Sequence, residues 1–154
     1  MRTFEKLADL AFLVGEEIGL SGWTPIDQAR IQRFADATDD QQWIHIDPAQ
    51  AAAGPFGSTI AHGFLTLSLL PKFFAESYAV NDTRMTLNYG LGKVRFPAPV
   101  PVDSRLRGRF KLLAFEPFAD TAAGGAQLTV EVTVEREGSP KPVCVAESLM
   151  RQFV

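Results

Sequence analysis

The second half of the chain alternates hydrophobic and polar residues along several runs. From Arg84 onward, the alternation has a period of two residues. It is present in the segments RMTLNYGL, KVRF, SRLRGRFKLLAF, QLTVEVTVER and PVCVAESLMRQF. The segments FPAPVPVD, EPFADTAAGG and EGSPK separate the runs and are rich in turn residues. In QLTVEVTVER the apolar residues 128, 130, 132 and 134 would share one face. The pattern predicts an antiparallel sheet with one buried face.

The first half of the chain follows helical spacing instead. Ile31, Phe34 and Ala35 recur on one face of the segment 27–38, and Asp27 can cap its first amides. A second helix start is predicted at Asp47, which is followed by a proline and the sequence AQAAA. These features predict two helices that flank the sequence DDQQWIHI.

A long apolar stretch, IAHGFLTLSLLPKFFAESY, follows the glycine-rich segment GPFGST. Its first half is hydrophobic nearly all round, so we expect a helix that is buried on most sides. Helices first and strands later predict an α+β fold in which an antiparallel sheet wraps one long central helix. With 154 residues and no linker, the sequence predicts a single domain over residues 1–154.

Composition narrows the possible partners. Hydrophobic residues make up 46% of the chain, charged residues 21%, and the formal net charge is −3. This balance favours neither nucleic-acid nor membrane binding, and no apolar run reaches membrane-spanning length. The one cysteine, Cys144, cannot form an internal disulfide and lies in a predicted strand, so we expect a buried thiol and a cytoplasmic protein.

The candidate chemistry lies at Asp40 and His45, between the two predicted helices. The chain has only two histidines, His45 and His62, and both lie shortly after Asp40 in the sequence. A carboxylate and an imidazole that face one volume can activate a water molecule near neutral pH. The alternative is structural, with Asp40 capping a helix and His45 half-buried and hydrogen-bonded. The residues alone leave both interpretations open.

The sequence FADATDDQQWIHIDPAQAAAGPFGSTIAHGFLTLSLLP resembles the MaoC-like dehydratases, the (R)-specific enoyl-CoA hydratases of the hot dog fold. Their motif has an aspartate, a histidine five residues later, an Asp-Pro pair, and His-Gly at a helix start. The matching residues here are Asp40, Ile44, His45, Asp47, Pro48, His62 and Gly63. The segments WIHIDP and NYGLGKVRFPAPVP are most similar to the branch of nodulation protein N-like proteins.

The resemblance implies a reaction and roles for the matching residues. The reaction is reversible hydration of trans-2-enoyl-CoA to (3R)-3-hydroxyacyl-CoA, without a cofactor. Asp40 and His45 would hold the water, and the amide of Gly63 would stabilise the charge on the thioester oxygen. His62 is either a substrate contact or a residue that hydrogen-bonds backbone. Hot dog folds usually pair as homodimers, so a homodimer is expected as well.

The sequence departs from the family motif in two places. Gln42-Trp43 stands where Asn-Pro is common, and Asp39 stands where a glycine usually precedes the catalytic aspartate. Gln42 therefore becomes a candidate substrate contact. Asp39 could compete with Asp40, but only Asp40 has the family's five-residue offset to His45.

Basic residues concentrate near one predicted strand and just upstream of it. Lys93 and Arg95 are candidates for binding the phosphates of coenzyme A, whereas the alternating residues 105, 107, 109 and 111 are typical of a solvated sheet face. No metal is expected, since two histidines and a distant cysteine make no recognisable ligand cluster.

Two rival functions stay open. A thioesterase on the same fold would also use an acid, a water and a helix-end amide. A non-catalytic acyl-CoA-binding module would result if Gln42-Trp43 misplaces the Asp40 and His45 pair.

Overall fold

A computed structural model of the chain describes residues 1–118 and 124–154. The strands are β1 Arg2–Phe4, β2 Glu17–Leu20, β3 Thr24–Ile26, β4 Tyr78–Val80, β5 Met85–Arg95, β6 Ser104–Pro117, β7 Ala126–Arg136 and β8 Cys144–Phe153. The larger sheet has the strand order β2-β6-β7-β8-β5, with β3 also pairing with β6, and its neighbouring strands are antiparallel. A second sheet pairs β1 and β4 in parallel.

The predicted strands are confirmed, with two differences. RMTLNYGL and KVRF form the single strand β5, which continues through two register shifts in its pairing with β8. The predicted turn EPFADTAAGG begins later than expected, because β6 runs to Pro117. Residues 119–123 of that turn lie outside the described residues.

The helices bear out the predicted caps. The Asp27 carboxylate accepts a hydrogen bond from the Arg30 amide at 2.8 Å, and Asp47 accepts one from the Gln50 amide at 2.9 Å. A 3₁₀ helix spans Leu7–Leu13. The α-helices are α1 Gln28–Thr38, α2 Trp43–Ile46, α3 Pro48–Ala52, α4 Gly63–Ser68 and α5 Leu70–Ser77.

The one long central helix of the sequence prediction is instead two consecutive helices. Helix α4 ends at Ser68 and α5 begins at Leu70, with Leu69 between them. Pro71 has no amide hydrogen and therefore cannot donate the hydrogen bond that would continue α4 into α5. The central segment still packs as a unit, since Leu65, Leu70 and Phe73 are all buried.

The inner face of the sheet packs around this central segment. Leu128, Val130, Val132 and Val134 of β7 are completely buried, as their alternation predicts. Gly108 in β6 allows close contact, because a Cβ at this position would lie 3.0 Å from the Cβ of Phe73. The sheet and the central segment therefore form the rigid body against which the loops between α1 and α4 are held.

The outer face of the sheet carries the paired charges. Arg107 and Arg109 donate to the Glu135 carboxylate at 2.7 and 2.9 Å, and Arg105 donates to Glu137 at 3.1 Å. This pairing of arginines with glutamates agrees with the predicted solvated face of the sheet. Among the described residues, no helix is long and apolar enough to cross a membrane.

The thiol of Cys144 belongs to the hydrophobic core. Cys144 is fully buried in β8 and pairs in register with Val134 of β7. Burial raises the pKa of this thiol to about 11. The prediction of a buried thiol is confirmed.

Candidate active site

The end of helix α1 directs the chain into the candidate site. Asp39 has a φ of 58°, in the left-handed region, and forms the C-terminal cap of α1. Aspartate is one of the few non-glycine residues that tolerates this conformation. The turn places Asp40 beyond the helix end, where its side chain is 52% exposed.

His45 is held inside the protein by backbone groups. The residue is 6% exposed, and its Nδ1 atom lies 2.6 Å from the carbonyl oxygen of Ile60. Because a carbonyl can only accept, Nδ1 carries the proton in this hydrogen bond, and Nε2 keeps a free lone pair. A second contact fixes the same helix, since the Ile60 amide donates to the Ile44 carbonyl at 3.0 Å. The imidazole is therefore presented as a base through Nε2.

The surroundings of His45 favour its neutral form. Burial is the main cause that lowers the pKa of His45, and the neighbouring His62 lowers it further. The hydrogen bond to Ile60 and the Asp40 carboxylate act in the opposite direction. The net effect is a lowered pKa, which keeps the imidazole available to accept a proton near neutral pH.

His62 joins the other two residues into one cluster. Its ring stacks on the ring of His45 with centroids 3.7 Å apart, and its Nε2 atom lies 3.0 Å from the Asp40 carbonyl oxygen. The same nitrogen is 3.9 Å from an Asp40 carboxylate oxygen. This contact agrees with the backbone-bonding alternative for His62, which is 2% exposed. Sequence spacing could not reveal this stack, because it depends on how the loop folds back.

Gly63 is the first residue of helix α4, and its amide has no partner within the helix. A Cβ on Gly63 would lie 3.2 Å from the ring of Phe96, so the glycine also serves packing. Gly63 and His45 line one cavity of about 360 Å³, together with Ile60, Thr66 and Phe96. The structure thus brings an imidazole and a helix-end amide to the same cavity.

The remaining predicted substrate contacts lie outside this cavity. Gln42 is exposed at the start of α2, where its carbonyl accepts from the His45 amide at 2.9 Å. Lys93 and Arg95 are exposed on β5, and Arg95 donates to the carbonyl of Val94 at 2.7 Å. Binding of the substrate by these three residues stays a prediction. Sequence reasoning missed Phe96, the neighbour of Arg95, which does line the cavity.

The cluster also approaches the spacing of a metal site. Asp40, His45 and His62 each offer one ligand atom, and these atoms lie within 4.8 Å of one another. Each imidazole, however, already directs one ring nitrogen to a backbone carbonyl. The expected absence of a metal stays a prediction.

Comparison of the chain with known proteins identifies its family. A family model described as the MaoC like domain matches residues 10–135. The chain is 57% identical over 151 residues to a protein named 3-hydroxyacyl-thioester dehydratase Z from Mycobacterium tuberculosis (strain ATCC 25618 / H37Rv), and the match covers 98% of each. It is 47% identical over 146 residues to Nodulation protein N of Rhizobium leguminosarum bv. viciae, covering 92% of this chain and 87% of the relative.

A solved structure supports the same assignment at the level of the fold. The unliganded R-hydratase PhaJ1 from Pseudomonas aeruginosa matches with a TM-score of 0.71 and 23% identity, covering 96% of this chain and 84% of that one. The predicted hot dog fold is confirmed, and so is the predicted resemblance. The chain belongs to the MaoC-like dehydratase family.

Proposed function

We propose that the protein is a hydro-lyase that reversibly hydrates trans-2-enoyl-CoA to (3R)-3-hydroxyacyl-CoA. One observation carries the proposal. The His45 imidazole, with its proton held on Nδ1 by Ile60, has a ring nitrogen within 4.8 Å of an Asp40 carboxylate oxygen and shares a cavity with Gly63. The match to a relative named as a 3-hydroxyacyl-thioester dehydratase agrees with this chemistry.

In the proposed hydration step, Asp40 and His45 hold one water molecule. His45 accepts a proton through Nε2 as the water oxygen attacks C3, and the Asp40 and His45 pair then returns this proton to C2 on the same face. Negative charge develops on the thioester oxygen, where the Gly63 amide donates a hydrogen bond. The protonated His45 is stabilised by its hydrogen bond to Ile60 and by the charge of the Asp40 carboxylate, which both oppose the lowering of its pKa by burial.

Crotonyl-CoA tests this function directly. The conjugated double bond should disappear while the thioester stays whole, and a dehydrogenase specific for the 3R enantiomer should oxidise all of the product. Release of free coenzyme A at the rate of substrate loss would mean that water attacks the thioester carbonyl. The protein would then be a thioesterase and not a hydratase. Binding of acyl-CoA without turnover at any chain length would favour the non-catalytic module.

We further propose that the protein acts as a homodimer joined through strand β5. This strand is at the edge of the larger sheet and has mostly exposed side chains. The apolar side chains of Met85, Leu87, Tyr89 and Leu91 are each between 45% and 56% exposed, which is unusual for an edge strand that stays in water. A second copy of β5 would cover them.

The dimer would also complete the binding of coenzyme A. Lys93 and Arg95 lie on the same strand, just before Phe96 of the His45 cavity. At a β5 interface they could meet the phosphates of a substrate bound at the cavity of either subunit.

We also propose that the reaction belongs to fatty acid metabolism in the cytoplasm, and that residues 1–154 act as one domain.

A further inference from the structure

The short helix α2, which carries His45, depends on contacts from outside the helix. It has only four residues, Trp43–Ile46, and a helix of about one turn leaves most of its carbonyl groups without partners of its own. The carbonyl of His45 is paired by the side chain of Gln28, which donates to it through Nε2 at 2.8 Å. Gln28 is the first residue of α1, so this hydrogen bond attaches His45 to a different helix.

The side chain of Gln28 also holds the segment that follows α3. Gln28 Oε1 accepts a hydrogen bond from the Thr59 hydroxyl at 2.6 Å, and Thr59 is buried. The His45 carbonyl can only accept, so it faces Nε2, which leaves Oε1 to accept from the hydroxyl. One side chain thus joins the start of α1 to α2 and to the segment between α3 and α4.

The two hydrogen bonds of Gln28 complete a ring that begins and ends at His45. Thr59 precedes Ile60, whose carbonyl oxygen lies 2.6 Å from His45 Nδ1. Gln28 therefore bridges the two residues, His45 and Thr59, that flank this bond. Because the tautomer of an imidazole is set by the hydrogen bonds of its nitrogens, the free lone pair on Nε2 depends on the position of the Ile60 carbonyl.

Building on the proposed function, we propose that Gln28 and Thr59 are positioning residues for the His45 base. We call their paired side chains the Gln28 clamp. Neither residue is among those that line the His45 cavity, so neither contacts a substrate bound there. The Gln28 clamp keeps the Ile60 carbonyl at Nδ1 and keeps Nε2 directed at the water molecule. Since a displacement of about 1 Å can cost about 10² in rate, the clamp supports turnover without binding the substrate.

Substitutions that keep the size of the side chain test the proposal in the whole protein. Gln28→Met removes both hydrogen bonds of the Gln28 clamp, and Thr59→Val removes one of them. Each should lower kcat for crotonyl-CoA by about tenfold or more, while KM changes by less than about twofold. Thr59→Ser keeps the hydroxyl and should keep most of the activity. An unchanged kcat in both Gln28→Met and Thr59→Val, or a loss that lies in KM alone, would overturn the proposal.

Gln127→Met is the matched control for the loss of a glutamine side chain. Gln127 lies on β7, where it donates to Glu116 at 3.2 Å and accepts from Arg151 at 3.3 Å. None of these three residues lines the His45 cavity. The control should keep kcat, and circular dichroism with thermal melting would show that each assayed variant is folded. An equal loss of kcat in the control and in Gln28→Met would indicate a general effect of stability and would overturn the proposal.

Nitrogen NMR of the imidazole rings follows the tautomer of His45 without any substrate. The chain has two histidines, and the signals of His45 are those that are missing from His45→Gln. The unmodified protein should show the His45 proton on Nδ1, whereas Gln28→Met should show a larger share of the form protonated on Nε2. A tautomer equilibrium that is the same in both proteins would overturn the proposal.

The NMR measurement separates the Gln28 clamp from the proposed function. An unmodified protein that leaves crotonyl-CoA unreacted, with a tautomer that shifts in Gln28→Met, would reject the hydratase and keep the clamp as the support of His45. Hydration of crotonyl-CoA with an unshifted tautomer would keep the hydratase and reject the clamp.

Discussion

At the scale of single residues, the carbonyl of Ile60 decides which nitrogen of His45 can act. It holds the proton on Nδ1 and leaves Nε2 to a water molecule. Asp40 is different, because its side chain is half exposed and only its carbonyl oxygen is fixed, by His62. The pair thus combines a buried, hydrogen-bonded base with a half-exposed carboxylate.

This division of roles predicts the effects of substitution. Asp40→Asn and His45→Gln should each lower kcat by roughly 10²–10⁴, the range for general acid–base groups, with crotonyl-CoA as substrate. Asp39→Asn is the matched control, because asparagine also tolerates the left-handed conformation at this position. A severe loss in Asp39→Asn with near-normal Asp40→Asn would show that the register is wrong.

The contribution of the Gly63 amide can be separated from packing. His62 has φ −57° and ψ 138°, a conformation that precedes proline readily, and proline is well tolerated at the first position of a helix. Gly63→Pro removes the amide hydrogen and should lower kcat by about 10² or more.

Gly63→Ala is the control for that experiment. It introduces a Cβ against the Phe96 ring, as proline does, but it keeps the amide hydrogen. The alanine variant should therefore be clearly more active than the proline variant. Equal activity of two folded variants would remove the amide from the mechanism.

The lowered pKa of His45 sets the expected dependence on pH. The base must be neutral, so protonation on the acidic side causes the loss of activity, and kcat/KM should fall only below pH 6.5, the ordinary value for histidine. Because the Asp40 carboxylate raises the pKa of His45, Asp40→Asn should move the histidine's titration, followed by NMR, to still lower pH. A midpoint above 6.5 in the unmodified protein would contradict the assigned environment.

At the scale of elements, strand β5 is the part of the fold that most needs a partner. Leu87→Lys would place a charge among the exposed apolar side chains of β5 and should convert the proposed dimer into monomers, as measured by light scattering. Phe12→Lys is the control, since Phe12 is 88% exposed in the 3₁₀ helix, away from β5. A Leu87→Lys protein that stays dimeric would exclude a β5 interface.

An element could be predicted where residues close together in the sequence determine it. Helix α1 and strand β7 could be predicted because an N-terminal cap and a strict alternation are visible in neighbouring residues. The break at Leu69 was missed, although Pro71 was visible, because the apolar character of the stretch outweighed the proline. The strands β1–β4 have only three or four residues each, too few to show a period.

The residues of the candidate site could be proposed from the sequence, but their contacts could not. The spacing of Asp40 and His45 suggested the pair through its resemblance to the family motif. The hydrogen bond from His45 to Ile60 and the stack on His62 depend on a loop that returns after α3, and a backbone carbonyl leaves no trace in a sequence.

At the scale of the whole molecule, the sheet and the central segment form the core, and the segment between α1 and α4 carries the Asp40 and His45 pair. The completely buried residues of β6, β7 and β8 share one hydrophobic core with Phe73, while Asp40 lies between α1 and α2 and His45 lies on the short helix α2. Loss of packing in the core should therefore reduce the folded population, whereas substitutions of Asp40 and His45 should affect turnover.

The burial of Cys144 gives the protein a built-in probe of its own unfolding. With the thiol fully enclosed and its pKa raised, iodoacetamide should label the native protein only during openings of the sheet. Leu128→Ala, which should cost about 2–5 kcal/mol, should accelerate labelling by the factor that its loss of unfolding free energy predicts, whereas Phe12→Ser should not. A labelling rate that does not change with stability would mean that β8 opens locally, and mass spectrometry of the labelled chain would measure the rate of that opening.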